Sequence, residues 1–345
     1  MSLIMNIGIV GASGYIGETL VRLLARHPRV NLTVVTSRKL AGSAIGDAIP
    51  ALRGQLPKLE FTDSDASKLA KNKDVDIYFL ALPHGVAVEY ARSLVNAGKK
   101  VIDLSADFRL NTSQRYEEFY GCPHPDPELL SRSKYVIPEI HNGSWKDAPI
   151  IGCPGCYPTS ILIPIIPLLS DGVISNQGII VNSLSGISGA GKKAEEYYSY
   201  CERAEDATPY GVPKHRHLSE IEQELSEASG KNIVIQFTPH LVPMIRGIIT
   251  TIIAPANNNK SQDIYASWEK AYWGKPFISI LPSGTPPHTS DLLHTNRIDI
   301  SATHDPRTDN FIIHSAEDNL MKGAAGQAVQ IMNLILGFPE DEGLI

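Results

Sequence analysis

Residues 5–27 read MNIGIVGASGYIGETLVRLLARH, and this stretch decides the architecture of the first half of the chain. Residues 6–10 form a short apolar run of the kind that makes a buried strand. A glycine-rich turn follows at once: Gly11, Ser13, Gly14, Tyr15, Ile16 and Gly17. In residues 15–26 the apolar side chains Ile16, Leu20, Leu23 and Leu24 recur at the spacing of one helix face. Glycines between a strand and a helix let the backbone turn tightly and approach a diphosphate, whose charge meets the free amides of the helix start. The spacing departs by one residue from G-x-G-x-x-G, so the position of the turn carries more weight than its pattern. The alternative is a glycine turn that binds nothing.

Working outward, residues 31–36 make a β-branched strand, residues 76–82 (DIYFLAL) another, and residues 101–104 a further one. A helix is expected over 86–96, with Gly98 as its stop. Strand and helix in alternation predict a doubly wound, Rossmann-type α/β domain. About twenty residues past the glycine turn, a protein preferring NAD would place an acid against the ribose hydroxyls. Here Thr36-Ser37-Arg38-Lys39 offers a hydroxyl and two cations instead, which suits a ribose 2′-phosphate and so NADP(H). The competing reading is a solvated basic turn.

The second half has another rhythm. Strands are expected at 178–182, 233–237, 245–254, 297–301 and 310–314 with few helices between them, an α+β domain with a mostly antiparallel sheet. A last helix is expected over about 319–336. The expected organisation is 1–155 plus 319–345 for the NADP-binding domain and 156–318 for the catalytic and oligomerisation domain.

Composition narrows the function class. The chain has 345 residues, a formal net charge of -6, 43% hydrophobic and 20% charged residues, and no long charged run. Nucleic-acid or membrane-surface binding driven by net charge is therefore not expected. The first ten residues lack the features of a signal peptide, and the oily stretch 161–169 is short and carries Pro164 and Pro167. Four cysteines are too few for a disulfide scaffold, so reduced thiols and a cytoplasmic setting are expected.

Two motifs carry chemistry. In Gly152-Cys153-Pro154-Gly155-Cys156-Tyr157-Pro158-Thr159, Pro158 falls in the first turn of a helix and Cys156 at its N-terminus. Free amides there favour a thiolate and can stabilise an oxyanion. Cys153 and Cys156 also form a C-x-x-C pair, leaving open a redox dithiol, half a zinc site, or structural cysteines. No second pair exists for zinc, and no metal is expected. Lys214-His215-Arg216-His217 supplies histidines to move protons and cations that suit a phosphate or carboxylate. Chain position does not choose between His215 and His217. The run 186–193 nearly matches a P-loop but lacks its Ser/Thr, and Tyr210-x-x-x-Lys214 is broken by Gly211 and Pro213.

The chain resembles the N-acetyl-gamma-glutamyl-phosphate reductases of arginine synthesis. GASGYIG at 11–17, TSR at 36–38, LPHG at 82–85, DLSADFRL at 103–110 and PGCYPT at 154–159 carry the resemblance. SGISGAG at 185–191, HRHLSEI at 215–221, PMIRGI at 243–248 and DNLMKGAAGQAVQ at 318–330 complete it. The resemblance implies that Cys156 attacks an acyl phosphate, that the resulting thioester is reduced by hydride, and that His215 is the acid/base. It further implies Ser185 and His217 at the phosphate or carboxylate end of a small substrate, with Arg109 and Arg246 as further carboxylate contacts. Asn319 would stand near the nicotinamide, and a homo-oligomer (dimer or tetramer) is expected. Ser160 departs from the family pattern, where Ala or Gly is expected. Homologous reductases of carrier-bound aminoadipyl or glutamyl phosphate, and an NADP-sensing protein without a reactive thiol, are the alternatives.

Overall fold

The computed structural model describes residues 4–192, 194–257 and 259–344. Lys193, the end of the near P-loop run, lies outside them. The chain divides into two compact units, Met1–Pro154 with Ala324–Ile345, and Gly155–Gly323.

The first unit is built on seven strands: β1 (Met5–Val10), β2 (Val30–Thr36), β3 (Phe61–Thr62), β4 (Ile77–Leu80), β5 (Lys100–Asp103), β6 (Ser133–Tyr135) and β7 (Ile150–Gly152). They pair in the order β3-β2-β1-β4-β5-β7-β6, and every pairing is parallel. β4 is buried along its whole length, as expected of a strand covered on both faces. The helix Tyr15–Leu24 follows β1 and buries Leu20, Val21 and Leu24. The strand order reverses at β1 and β4, the switch point where doubly wound sheets bind ligands. The closing helix Gly326–Leu336 belongs to this unit, and its Asn333 Oδ1 lies 3.0 Å from His27 Nε2. The sequence reading opened that helix at 319. Residues Met321–Ala325 instead form a π turn, and Asn319 through Gly323 stay with the second unit.

The second unit has β8 (Ile180–Gly186), β9 (Thr208–Pro209), β10 (Gln236–Val242), β11 (Ile248–Pro255), β12 (Ile278–Ile280), β13 (Ile298–Asp305) and β14 (Asn310–Glu317). Their order is β12-β13-β14-β11-β8-β10-β9. The pairs β8–β10 and β12–β13 are parallel and the rest antiparallel, an α+β sheet as expected. β10 begins three residues later than the expected 233–237 and runs through Pro239. The backbone groups of one strand residue point to the same edge, and Pro239 O accepts from Tyr210 N (3.0 Å) on the β9 side. The missing N–H of Pro239 therefore leaves no gap in the ladder to β8.

The helix Cys156–Ser170 is buried almost throughout and contains two prolines beyond its first turn, Pro164 and Pro167, each of which removes a helical bond to the carbonyl four residues back. Both orphaned carbonyls have substitutes. Ser160 O, released by Pro164, accepts from Ser315 Oγ at 2.6 Å. Ile163 O, released by Pro167, accepts from Tyr272 Oη. The helix is thus completed by side chains from β14 and from the helix Ser261–Tyr272, which explains how a stretch that reads as broken stays helical. Ser160, the departure from the family pattern, is also satisfied. Its hydroxyl lies 2.9 Å from Thr250 Oγ1, which in turn lies 2.8 Å from Ser183 Oγ. Among the described residues no helix is long and apolar enough to cross a membrane.

Candidate active site

In the first unit, the glycine turn has the shape its position predicts. Gly11 has φ +88, and a Cβ there would meet Ala81 O at 2.4 Å. A Cβ on Gly17 would meet Gly11 O at 2.3 Å, so helix and turn touch through hydrogen atoms only. Gly14 is the N-cap of the helix, with open space where its Cβ would be. Ser37 Oγ donates to Ser13 Oγ (2.9 Å), which joins the turn to the end of β2. Arg38 is exposed, lines a polar hollow with Ser64 and Ser67 and with the carboxylates Asp63, Asp65 and Glu89, and has no side-chain partner among the described residues. Tyr15 and Ile16 open the helix behind Gly14. An uncovered glycine cap at a helix N-terminus and an unengaged arginine fit a phosphorylated dinucleotide.

Asp103 and Asp107 were not singled out from the sequence, although both lie in the segment 103–110. Asp107 is fully buried and accepts from Gly85 N (2.8 Å) and Ala87 N (3.0 Å), while His84 Nδ1 lies 2.9 Å from it. It therefore fixes the loop after β4. Burial, and then the charge of Asp107, push the Asp103 carboxyl up to about 7. Arg109 is also buried, and its Nη2 donates to Leu104 O (3.0 Å). Its charge offsets the burial of Asp103. Cys153 is buried at the end of β7, and burial with the nearby Asp103 pushes its thiol far up. A thiol so held is a poor redox partner, which weakens the dithiol alternative.

The second unit gathers Cys156, Ser185, His215 and His217 around one cavity of about 560 Å³. Residues 156 and 217 lie 61 positions apart, and it is the packing of the cysteine helix against β11, β14 and the helix Leu218–Ser229, in the sheet that also holds β8 and β10, that joins them. Gly155 caps the cysteine helix and Cys156 is its first residue, half-buried. Gly155 N donates to the buried Glu220 Oε2 (2.8 Å), so a carboxylate from the next helix holds the cap. The ring of His217 lies directly on Gly155: a Cβ there would be 2.6 Å from both Cε1 and Nε2. Gly323 approaches from the other side, with its missing Cβ only 2.8 Å from Cys156 Cβ.

His215 packs edge-on against Tyr157, Tyr210 and Phe237. Burial, helped by the Arg216 charge, lowers its pKa to about 4, so the ring is neutral near pH 7. His215 Nδ1 accepts from His217 N (3.1 Å), and this bond assigns the ring proton to Nε2. Ser185 is buried and its hydroxyl donates to Gly186 O (3.1 Å). The sequence reading missed the aromatic walls, Tyr157, Tyr197, Tyr198 and Tyr210. Tyr157, next to the cysteine, and Tyr210, in the pattern with Lys214, stand in segments whose position points to the cavity.

Arg246 and Asn319 hold their side chains in hydrogen-bond networks. Arg246 is engaged by Asp318 Oδ2 and His294 Nδ1, both at 3.2 Å, and does not line the cavity. Asn319 is buried, its Oδ1 accepting from Gly247 N (2.8 Å) and its Nδ2 donating to Ser188 Oγ (3.0 Å). It clasps two distant loops, which also bond each other through Gly186 N to Gly247 O (2.9 Å) and Ile187 N to Met244 O (2.8 Å). Among the described residues no group of three or more His, Cys, Asp or Glu side chains is arranged to hold a metal ion.

Comparison with known proteins agrees with this division. Residues 6–148 match the family described as semialdehyde dehydrogenase, NAD binding domain, and residues 156–319 match semialdehyde dehydrogenase, dimerisation domain. A curated N-acetyl-gamma-glutamyl-phosphate reductase of Akkermansia muciniphila is 48% identical over 343 residues, covering 99% of this chain and 98% of the relative. The chain belongs to the N-acetyl-gamma-glutamyl-phosphate reductase family. Another member, from Acetivibrio thermocellus, is 43% identical over 98% of this chain and 97% of its own length. The fold of the family extends to aspartate semialdehyde dehydrogenases. Aspartate semialdehyde dehydrogenase II of Vibrio cholerae, solved with ASA, has a TM-score of 0.73 at 20% identity, over 97% of this chain and 99% of that one. The Candida albicans enzyme, solved with NADP, has a TM-score of 0.71 at 18% identity, over 97% and 98%.

Proposed function

We propose that the chain reduces N-acetyl-gamma-glutamyl phosphate to N-acetylglutamate semialdehyde and phosphate, with NADPH as reductant. The observation that carries the reading is the single cavity that Cys156, at a helix N-terminus, shares with Ser185, His215 and His217. The Cys156 thiolate attacks the acyl carbon, a C–S bond forms, and phosphate leaves with the C–O electron pair. Bound NADPH supplies the hydride that reduces the thioester. In this reading the oxyanion formed on reduction is stabilised by the positive end of the cysteine helix and by the Nε2–H of neutral His215. Its collapse breaks the C–S bond and returns the thiolate.

His215 is thus the hydrogen-bond donor to the oxyanion in this proposal, its neutral ring keeping its proton throughout. A second reading gives the acceptance of the Cys156 proton to His217, because its ring stands on the cap residue next to the sulfur. Ser13, Ser37 and Arg38 would hold the cofactor's phosphates, which favours NADP over NAD. A homo-oligomer is supported by the half-open sheet of the second unit, where Ile180 and Leu184 are exposed beside half-buried Ile249 and Ile253. A cytoplasmic setting follows from four free cysteines.

The test follows NADPH absorbance in the phosphorolytic direction, with NADP, phosphate and N-acetylglutamate semialdehyde. The aldehydes of aspartate and of carrier-bound aminoadipate run in parallel. Reduction of NADP with the acetylglutamate substrate is expected, and Cys156→Ser should abolish it while NADPH binding persists. Activity confined to another aldehyde would move the substrate. Turnover by Cys156→Ser would refute the covalent route.

A further inference from the structure

We infer that Arg216 binds the carboxylate of the substrate at the mouth of the Cys156 cavity. The inference rests on the reductase reading above and names the group that recognises one end of the substrate. Arg216 lines the cavity together with Lys214, and among the described residues no Asp or Glu does. Its guanidinium has no hydrogen-bond or ion-pair partner among the described residues, whereas the other arginines of this region are engaged. Arg246 is held by Asp318, and Arg203 by Asp206 (2.6 Å) beneath the ring of Tyr197. A cavity whose described lining carries Lys214, Arg216 and two histidines and no carboxylate is built for an anion.

The substrate has two anionic ends, and position separates them. The phosphate leaves from the carbon that the sulfur attacks, so its receptor must stand beside Cys156, where His217 lies on the cap. Arg216 is exposed while its neighbours His215 and His217 are half-buried, which puts it at the outer end of the cavity. The end of the substrate away from the reacting carbon carries the carboxylate. The planar fork of arginine matches a carboxylate with two parallel hydrogen bonds.

The experiment uses the full-length enzyme in the phosphorolytic direction, with Arg216→Ala and Arg216→Lys. N-acetylglutamate semialdehyde is compared with butanal, an aldehyde that has no carboxylate. Loss of charge-assisted hydrogen bonds predicts that KM for the acetylglutamate aldehyde rises about 10- to 100-fold in Arg216→Ala. The preference for that aldehyde over butanal, as a ratio of kcat/KM, should fall by the same factor. Arg216→Lys should recover part of the loss, and KM for phosphate should stay as in the wild type. A raised phosphate KM with an unchanged aldehyde KM would overturn the assignment, as would an unchanged preference ratio. An active wild type with an unaffected variant refutes Arg216 alone, whereas an inactive wild type refutes the reductase reading together with it.

Discussion

Replacing Gly155 by Ala tests whether the site depends on the contact between the helix cap and His217. Gly155 has φ -70 and ψ 160, which alanine adopts without strain, so the effect must come from the added methyl. That methyl would stand 2.6 Å from His217 Cε1 and Nε2, while ordinary contact begins at 3.4 Å. The ring must therefore retreat by 3.4 − 2.6 = 0.8 Å, or the cap must move with Cys156 on it. A misplacement of about 1 Å in a catalytic constellation costs roughly 100-fold, so kcat should fall by about 10- to 100-fold. Overpacking costs about 1–3 kcal/mol of stability, and alanine is a poorer cap than glycine. The variant should still fold, with a lowered Tm. The assay pairs steady-state kcat with the rate at which iodoacetamide alkylates Cys156, which reports the thiolate directly. A variant within two-fold of wild type in both would refute the idea that the position of His217 on the cap matters.

Further outcomes follow from the same geometry. Arg38→Ala should weaken NADPH binding by about 10-fold or more and leave NADH binding unchanged, read by fluorescence titration; equal weakening of both would remove the 2′-phosphate role. The His215 ring, with its pKa lowered to about 4 by burial, should keep one neutral NMR signal from pH 8 down to 5, and a midpoint near 6.5 would contradict its burial. Asp103 has a folded pKa of about 7 against 3.8 for the free group, so its contribution is fully present below about 4 and is lost as pH rises through 7. Urea melts of wild type and Asp103→Asn should therefore diverge over that window, with the wild type losing more stability as pH rises; parallel curves would exclude the shift. Gly323→Ala should slow Cys156 alkylation, because the new methyl would meet Cys156 Cβ at 2.8 Å.

The sequence by itself determined the local and the periodic. The run from β1 through the glycine turn into a helix is written in adjacent residues, because a left-handed Gly11 and a hydrogen-only contact at Gly17 admit no side chain. The placement of Cys156 at a helix start was equally legible, since Pro158 marks a first turn. The alternation of strand and helix announced the parallel sheet, but three of its seven strands are only two or three residues long and carry too little pattern to be read.

What only the tertiary structure decided concerns partners far apart in the chain. The cysteine helix survives Pro164 and Pro167 because Ser315 and Tyr272 supply the lost hydrogen bonds, and nothing within residues 156–170 says so. Arg246 and Asn319 sit in motifs that resemble binding segments, yet their side chains are engaged by Asp318, His294, Gly247 and Ser188. Arg216, between two histidines of the same segment, has no hydrogen-bond or ion-pair partner among the described residues and lines the cavity. A polar side chain reads the same in sequence whether its hydrogen bonds are already made or still open to a ligand. That difference is fixed only when the chain folds and distant donors and acceptors meet.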